Sequence, residues 1–338
     1  MKLKSITFNS VWGQSGILGF FGKGDEYPHH KIYKLLFGLF GFSFRGMTFV
    51  AKTITLEPRI YPENSNTELR DGYRLKQWFP SSIWVSVKSF IKGYVLNAVG
   101  LANPGTSAMF AYGKWQERKV PFQLSVMPMA GSVEEKVREM EEFCAIVESQ
   151  MVFHRFYHPY GIQVNFSCPN TGHDQKQDPS EIIAILKVFQ EKLPQVPIIP
   201  KFDLLIDQEV IVQLKPYCDA FMIGNTLPFG KKMNSSWWKN LFPNGSPLLK
   251  HFGGKFSGGL SGKPLFPILV GWLQKMEELD PTVTIVAGGG ITTKADITTL
   301  SEFQCVKAVA LGSVAITRPW RMQGLINHGN KIFSQRKF

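Results

Sequence analysis

Eight apolar runs of strand length recur along the chain, at 48–56, 95–100, 122–127, 162–167, 196–202, 220–224, 283–287 and 306–311, and helical patterns separate them. Runs this continuous in apolar character suit parallel strands covered on both faces. Strand alternating with helix eight times predicts a (β/α)8 barrel, and a single domain spanning the 338 residues with its core at about 15–320. A doubly wound sheet uses the same units, but no Gly-x-Gly-x-x-Gly follows the first run, which weighs against a dinucleotide fold.

The intervening segments carry helix signals. Ser132 followed by Glu135 reads as a capping box, and Val133, Val137, Met140, Cys144 and Val147 then trace a stripe at helical spacing, which makes Cys144 a core residue. Asp178-Pro179-Ser180-Glu181 opens a helix running to about Leu193, and Asp207 and Thr292 read as caps for two more. The Phe- and Leu-rich segment 34–44 has the composition of a membrane-surface helix; with a strand immediately after it, it is expected to be the first barrel helix. Two segments, 58–94 and 227–256, exceed what a barrel connection needs, and loops of such length usually serve function or are disordered.

Composition narrows the chemistry. A hydrophobic fraction of 44% supplies a sizeable core. The four cysteines, at 144, 168, 218 and 305, show no Cys-x-x-Cys pair, so neither structural zinc nor an iron–sulfur cluster is expected and no metal site is assigned. No run of eighteen apolar residues occurs and the amino terminus lacks a signal-peptide core, so a cytoplasmic protein is expected. The net charge of +12 is enough to attract nucleic acid, anionic lipid or an anionic small molecule without choosing among them, and basic residues are dispersed without a run of five. No nucleic-acid partner is expected, because the set Asn97, Asn165, Asn170 and Asn225 suits a small free ligand held on all sides.

The ends of the runs are the informative positions. Lys52 closes the first, Asn97 the second, Cys168 and Asn170 the fourth, Lys201 the fifth, Asn225-Thr226 the sixth, Gly288-Gly289-Gly290 the seventh and Gly312-Ser313 the eighth. In a barrel such ends converge on one mouth. Taken singly, each is a turn signal; Asn165-Phe166-Ser167-Cys168-Pro169-Asn170 alone reads as readily as a strand-ending turn as a catalytic cluster. Glycines at 258–262, 288–290 and 312 let backbone N–H groups approach a phosphate, commonly bound after strands seven and eight of a barrel. Two interior lysines and no metal ligands beside that site suggest a phosphorylated organic cofactor.

In combination and order these motifs resemble the dihydroorotate dehydrogenase family of FMN-dependent barrels. The resemblance runs from about Ser15 to Arg318, through Ser15-Gly16, Lys52-Thr53-Ile54-Thr55-Leu56-Glu57-Pro58-Arg59, Asn97-Ala98-Val99-Gly100-Leu101, the run from Asn165 to Thr171, Lys201, Asn225-Thr226 and the three glycine clusters. It implies FMN as cofactor, with Ser15, Gly16, Lys52 and Lys201 at the flavin ring, Gly262, Gly289, Gly290, Gly312 and Ser313 at the ribityl phosphate, and Thr53, Asn165, Gly224 and Ser261 also binding the cofactor. It implies dihydroorotate or orotate held by Lys52, Asn97, Gly100, Leu101, Asn165, Asn170, Asn225 and Thr226. Asparagine amides present donor and acceptor together, matching the alternating edge of a dihydropyrimidine.

By the same resemblance Cys168 is the general base, and cysteine there marks the soluble branch, whereas Gly258-Gly259-Leu260-Ser261-Gly262-Lys263-Pro264-Leu265 is closer to the quinone-linked branch. The electron acceptor is left open among fumarate, NAD through a partner, and quinone, as is a homodimer. A second family of FMN barrels, the tRNA dihydrouridine synthases, is the alternative reading, as is a reductase of another small dihydropyrimidine.

Overall fold

The computed structural model describes residues 1–22, 27–153, 159–167 and 178–336. Eight parallel strands form the central sheet: β1 (Val11–Gly13), β2 (Phe49–Val50), β3 (Phe122–Val126), β4 (Tyr160–Asn165), β5 (Ile198–Phe202), β6 (Phe221–Ile223), β7 (Ile285–Gly288) and β8 (Val306–Leu311). Their order is sequential, with β8 paired back onto β1 (Val309 with Val11, Leu311 with Gly13) and a parallel bridge from Trp12 to Thr48 completing the ring. Major helices are α1 (Pro28–Phe37), α2 (Val87–Lys92), α3 (Val133–Phe153), α4 (Pro179–Lys192), α5 (Gln208–Leu214), α6 (Phe266–Leu279), α7 (Lys294–Ser301) and α8 (Met322–Ser334).

Two apolar clusters follow from strand alternation. One lies between sheet and helices, where Leu124, Ile162, Val164, Ile198 and Val309 meet Met140, Phe143, Ile185, Phe189 and Ile326. The other fills the barrel, where Trp12, Val50, Ile199, Met222, Val286 and Ala308 point inward. Leu3, Ile6 and Phe8 join that inner cluster from a hairpin pairing Lys2–Leu3 with Ile6–Thr7. Lys4 Nζ donates to the carbonyls of Pro194 and Val196 at 2.8 Å each, just before β5, so the hairpin plugs the end of the barrel opposite the strand carboxyl termini.

The caps expected at α3 and α4 are present. Ser132 and Glu135 exchange both capping-box bonds, and Asp178 accepts from the Ser180 N–H at 2.9 Å. Asp207 occupies the cap position of α5 without a side-chain bond.

Four expectations are corrected. The run 95–100 is not a barrel strand: Tyr94–Asn97 belongs to a separate antiparallel sheet ordered Leu227–Pro228, Gly259–Gly262, Tyr94–Asn97, Ile83–Trp84. The missing barrel strand is β1, so Lys52 follows the second strand rather than the first. Glycines 259–262, read as a loop, form a strand of the antiparallel sheet, paired from Gly259↔Asn97 to Gly262↔Tyr94. The cap of α7 is Thr293, one residue beyond Thr292, because Asp296 returns a bond to the Thr293 N–H at 2.9 Å.

Candidate functional site

The antiparallel sheet lies over the carboxyl-terminal mouth of the barrel and encloses a cavity of about 270 Å³ with the strand ends. Of the described residues given a cofactor or substrate role from the sequence, all line it: Ser15, Gly16, Lys52, Thr53, Asn97, Gly100, Leu101, Asn165, Lys201, Gly224, Asn225, Thr226, Ser261, Gly262, Gly289, Gly290, Gly312 and Ser313; Gly258, Gly259 and Gly288 of the same glycine clusters do not. Cys168 and Asn170 lie outside the described residues.

Strand register places the polar groups. Asn165 and Lys201 are paired neighbours at the ends of β4 and β5 and are 3% and 4% exposed. Gly224 and Asn225 each donate a backbone N–H to the Phe202 carbonyl at 3.0 Å, turning the chain inward just past β6. Asn225 Nδ2 then donates to Asn165 Oδ1 at 3.0 Å and lies 3.1 Å from Ser167 Oγ and against the Ser167 carbonyl, while its Oδ1 accepts the Thr226 N–H at 3.0 Å. Every polar atom of the Asn225 amide is thereby engaged, and its orientation is fixed.

A chain of hydroxyls crosses β1, β2 and β3. Ser15 Oγ donates to the Ala51 carbonyl at 2.9 Å, so it must accept from Thr53 Oγ1 at 2.8 Å; Thr53 Oγ1 in turn accepts from Ser125 Oγ at 2.9 Å. Lys52, between these groups, sends its ammonium to the Ala102 carbonyl and stands 4.5 Å from the Phe20 ring centre. None of the described lining residues is acidic, so the two lysines make the cavity a site for an anion. Among the described residues no group of three or more His, Cys, Asp or Glu is placed to hold a metal.

The glycine ends converge on the opposite flank. Gly289 has φ +120°, and a Cβ there would meet nothing closer than 3.9 Å, so open space borders its backbone as a phosphate cradle requires. Asp296 ties this flank together: it accepts from Lys263 Nζ at 2.7 Å, the Thr292 N–H at 2.8 Å and the Thr293 N–H at 2.9 Å. Burial opposes ionisation of this carboxyl, yet the bonds from Lys263 and Thr292 outweigh it and hold the group below the usual carboxylate range. Lys263 adjoins Gly262, and Thr292 follows Gly290, so one carboxylate joins both glycine segments.

Several lining residues were missed from the sequence. Gln14 donates from Nε2 to the Gly224 carbonyl at 3.2 Å; its position beside Ser15-Gly16 was the available signal. Tyr27 donates its hydroxyl to the Gly16 carbonyl, and His30 packs 5.2 Å from the Tyr27 ring; both enter from α1, where no motif marked them. Leu75 and Ile83 come from the 58–94 segment and Ile316 from beyond β8. Of the remaining cysteines, burial pushes the Cys144 thiol up to about 12 and also raises those of Cys218 and Cys305.

A family model described as dihydroorotate dehydrogenase matches residues 86–317. The catalytic subunit of dihydroorotate dehydrogenase B (NAD(+)) from Streptococcus pneumoniae is 24% identical over 94% of this chain and 87% of its own length. A putative dihydroorotate dehydrogenase A (fumarate) from Aeropyrum pernix is 28% identical over 80% of this chain and 75% of its own. The ligand-free dihydroorotate dehydrogenase of Eimeria tenella superposes with a TM-score of 0.57 at 17% identity, covering 85% of this chain and 78% of that one, a likeness of fold. With more than half the sequence matched by the family model and the same barrel beneath it, the chain belongs to the dihydroorotate dehydrogenase family.

Proposed function

We propose that this flavin-family enzyme uses FMN to oxidise (S)-dihydroorotate to orotate, a step of de novo pyrimidine synthesis. The observation that carries the reading is the acid-free cavity in which three asparagine amides and two lysines converge. FMN fits the residues present: Ser15, Gly16, Thr53 and Lys201 would hold its ring, and Gly262, Gly289, Gly290, Gly312 and Ser313 its phosphate. When bound, FMN supplies a hydride acceptor.

The chain's own residues supply the rest. Asn97, Asn165 and Asn225 orient the pyrimidine edge, with Thr226, Gly100 and Leu101 closing around it and Lys52 attracting the carboxylate. The family resemblance gives Cys168 and Asn170, which follow β4 in sequence, to the same site; the Cys168 thiolate takes the proton from the ring carbon beside the carbonyl. The apolar strand Tyr94–Asn97 and the residues Leu75 and Ile83 exclude water above the ring.

Purified yellow protein mixed anaerobically with dihydroorotate tests the reading; bleaching of the flavin is expected, and intact FMN that stays oxidised would sink it. The relatives named above differ in acceptor, and reoxidation by fumarate, NAD or a soluble quinone, assayed side by side, assigns the acceptor of this chain.

A further inference from the structure

Helix α1 and the turn after it leave an apolar face bare. Leu35, Leu36, Leu39 and Phe40 are 85%, 54%, 97% and 72% exposed, whereas α4 buries Ile182, Ile185, Leu186, Val188 and Phe189. The Gly38 and Phe40 N–H groups bond to the carbonyls of Lys34 and Phe37 at 3.0 Å each, so the turn continues through Phe40. Leu39 then stands one turn from Leu35, and Phe40 one turn from Leu36. The other side of α1 is anchored, with the Tyr33 hydroxyl on the Ile316 carbonyl at 3.2 Å and the Phe37 ring 5.5 Å from Trp320.

A second helix shares that support. The Arg318 guanidinium lies 5.9 Å from the Trp320 ring and 5.7 Å from Phe90 and donates to the carbonyls of Phe90 and Ile91, which holds α2 against the same segment. On α2, Val87 and Ile91 lie one turn apart and are likewise exposed.

Charge selects the occupant. Residues 27–56, 72–116 and 303–336, to which these elements belong, contain no Asp or Glu, Asp25-Glu26 being the nearest acidic pair in sequence, while Lys31 and Lys34 of α1, Lys88 and Lys92 of α2, and Arg45 and Arg321 are exposed. A second copy docking through the same face would set these cations against one another. An anionic bilayer accepts both components, the apolar side chains below its headgroups and the cations among its phosphates.

We propose that α1 and α2 seat the protein on an anionic membrane surface. No helix among the described residues is long and apolar enough to cross a membrane, so the contact is peripheral. Tyr27 and His30, at the amino-terminal end of α1, line the cavity, so seating brings the cavity flank toward the bilayer. The proposal concerns location and is independent of the reaction.

The test is flotation of the purified full chain with phosphatidylcholine vesicles, with and without phosphatidylglycerol, at low and moderate salt. The protein is expected to float with the anionic vesicles alone, and less so as salt rises. Leu35→Ser with Leu39→Ser should lower partitioning about tenfold or more while leaving the melting temperature nearly unchanged, since both residues face solvent in the free protein. Lys31→Gln with Lys34→Gln should weaken it as well. Absence from both vesicle types, or flotation indifferent to the leucines, would overturn the proposal. So would a concentration-dependent dimer in sedimentation that the leucine variant abolishes, which would assign the face to a second copy.

Discussion

Asn225 reaches across the barrel mouth to Asn165, Nδ2 donating to Oδ1 at 3.0 Å, and through this bond the ends of β4 and β6 share one amide pair. Asn225→Ala removes the donor and leaves the buried Asn165 carbonyl without it. Orotate affinity is expected to fall about tenfold or more, with a stability loss of about 1 kcal/mol. Titration of orotate against the flavin spectrum checks this; unchanged affinity would remove Asn225 from the substrate pocket.

Asp296 makes a second relationship measurable. Asp296→Asn should weaken FMN retention more than it weakens orotate binding to the loaded enzyme, because the carboxylate joins the two glycine segments rather than the substrate edge. The sign of its pH dependence follows from the depressed folded pKa. Its contribution is present above the unfolded carboxyl value of about 4 and is lost as pH falls through the lower folded value. Urea midpoints of wild type and variant should therefore differ at pH 7 and converge in acid, and a constant gap would refute the assignment.

Gly224 permits a crossing that no other residue tolerates. Its φ is +134°, and a Cβ would lie 2.0 Å from the Gly288 carbonyl oxygen. Gly224→Ala should destabilise the protein by about 3 kcal/mol and lower its flavin content, read together from chemical denaturation and absorbance.

The cysteines should separate by reactivity. Burial holds the thiols of Cys144, Cys218 and Cys305 protonated at neutral pH, so iodoacetamide should bypass all three in the folded protein. Peptide mapping should find the label on Cys168, blocked by orotate; labelled Cys144 would contradict the core packing described here. Cys168→Ala should keep FMN and lose about a hundredfold or more in turnover.

Residue chemistry carried the cavity into view before topology did. Lys52, Asn165, Lys201 and Asn225 announced themselves because lysines and amides directly after apolar runs are conspicuous. The strand that holds Asn97 was misplaced because Tyr94, Val95 and Leu96 are as buried in the covering sheet as in a barrel wall, and burial, not pairing partner, is what an apolar run reports. β1 escaped notice because three residues give no period to detect. Segment 34–44 reads in sequence as the first barrel helix; α1 takes in only its first residues, ending at Phe37, and 38–44 is turn and loop, because Gly38 and Gly41 interrupt the run.

Closure of the barrel depends on Val11–Gly13 meeting Val309–Leu311, partners from opposite ends of the sequence. During synthesis β1 emerges before β8, so this seam can form only once β8 has left the ribosome. Loss of yield on expression should therefore be felt most with changes that weaken this last seam, even where the finished enzyme tolerates them.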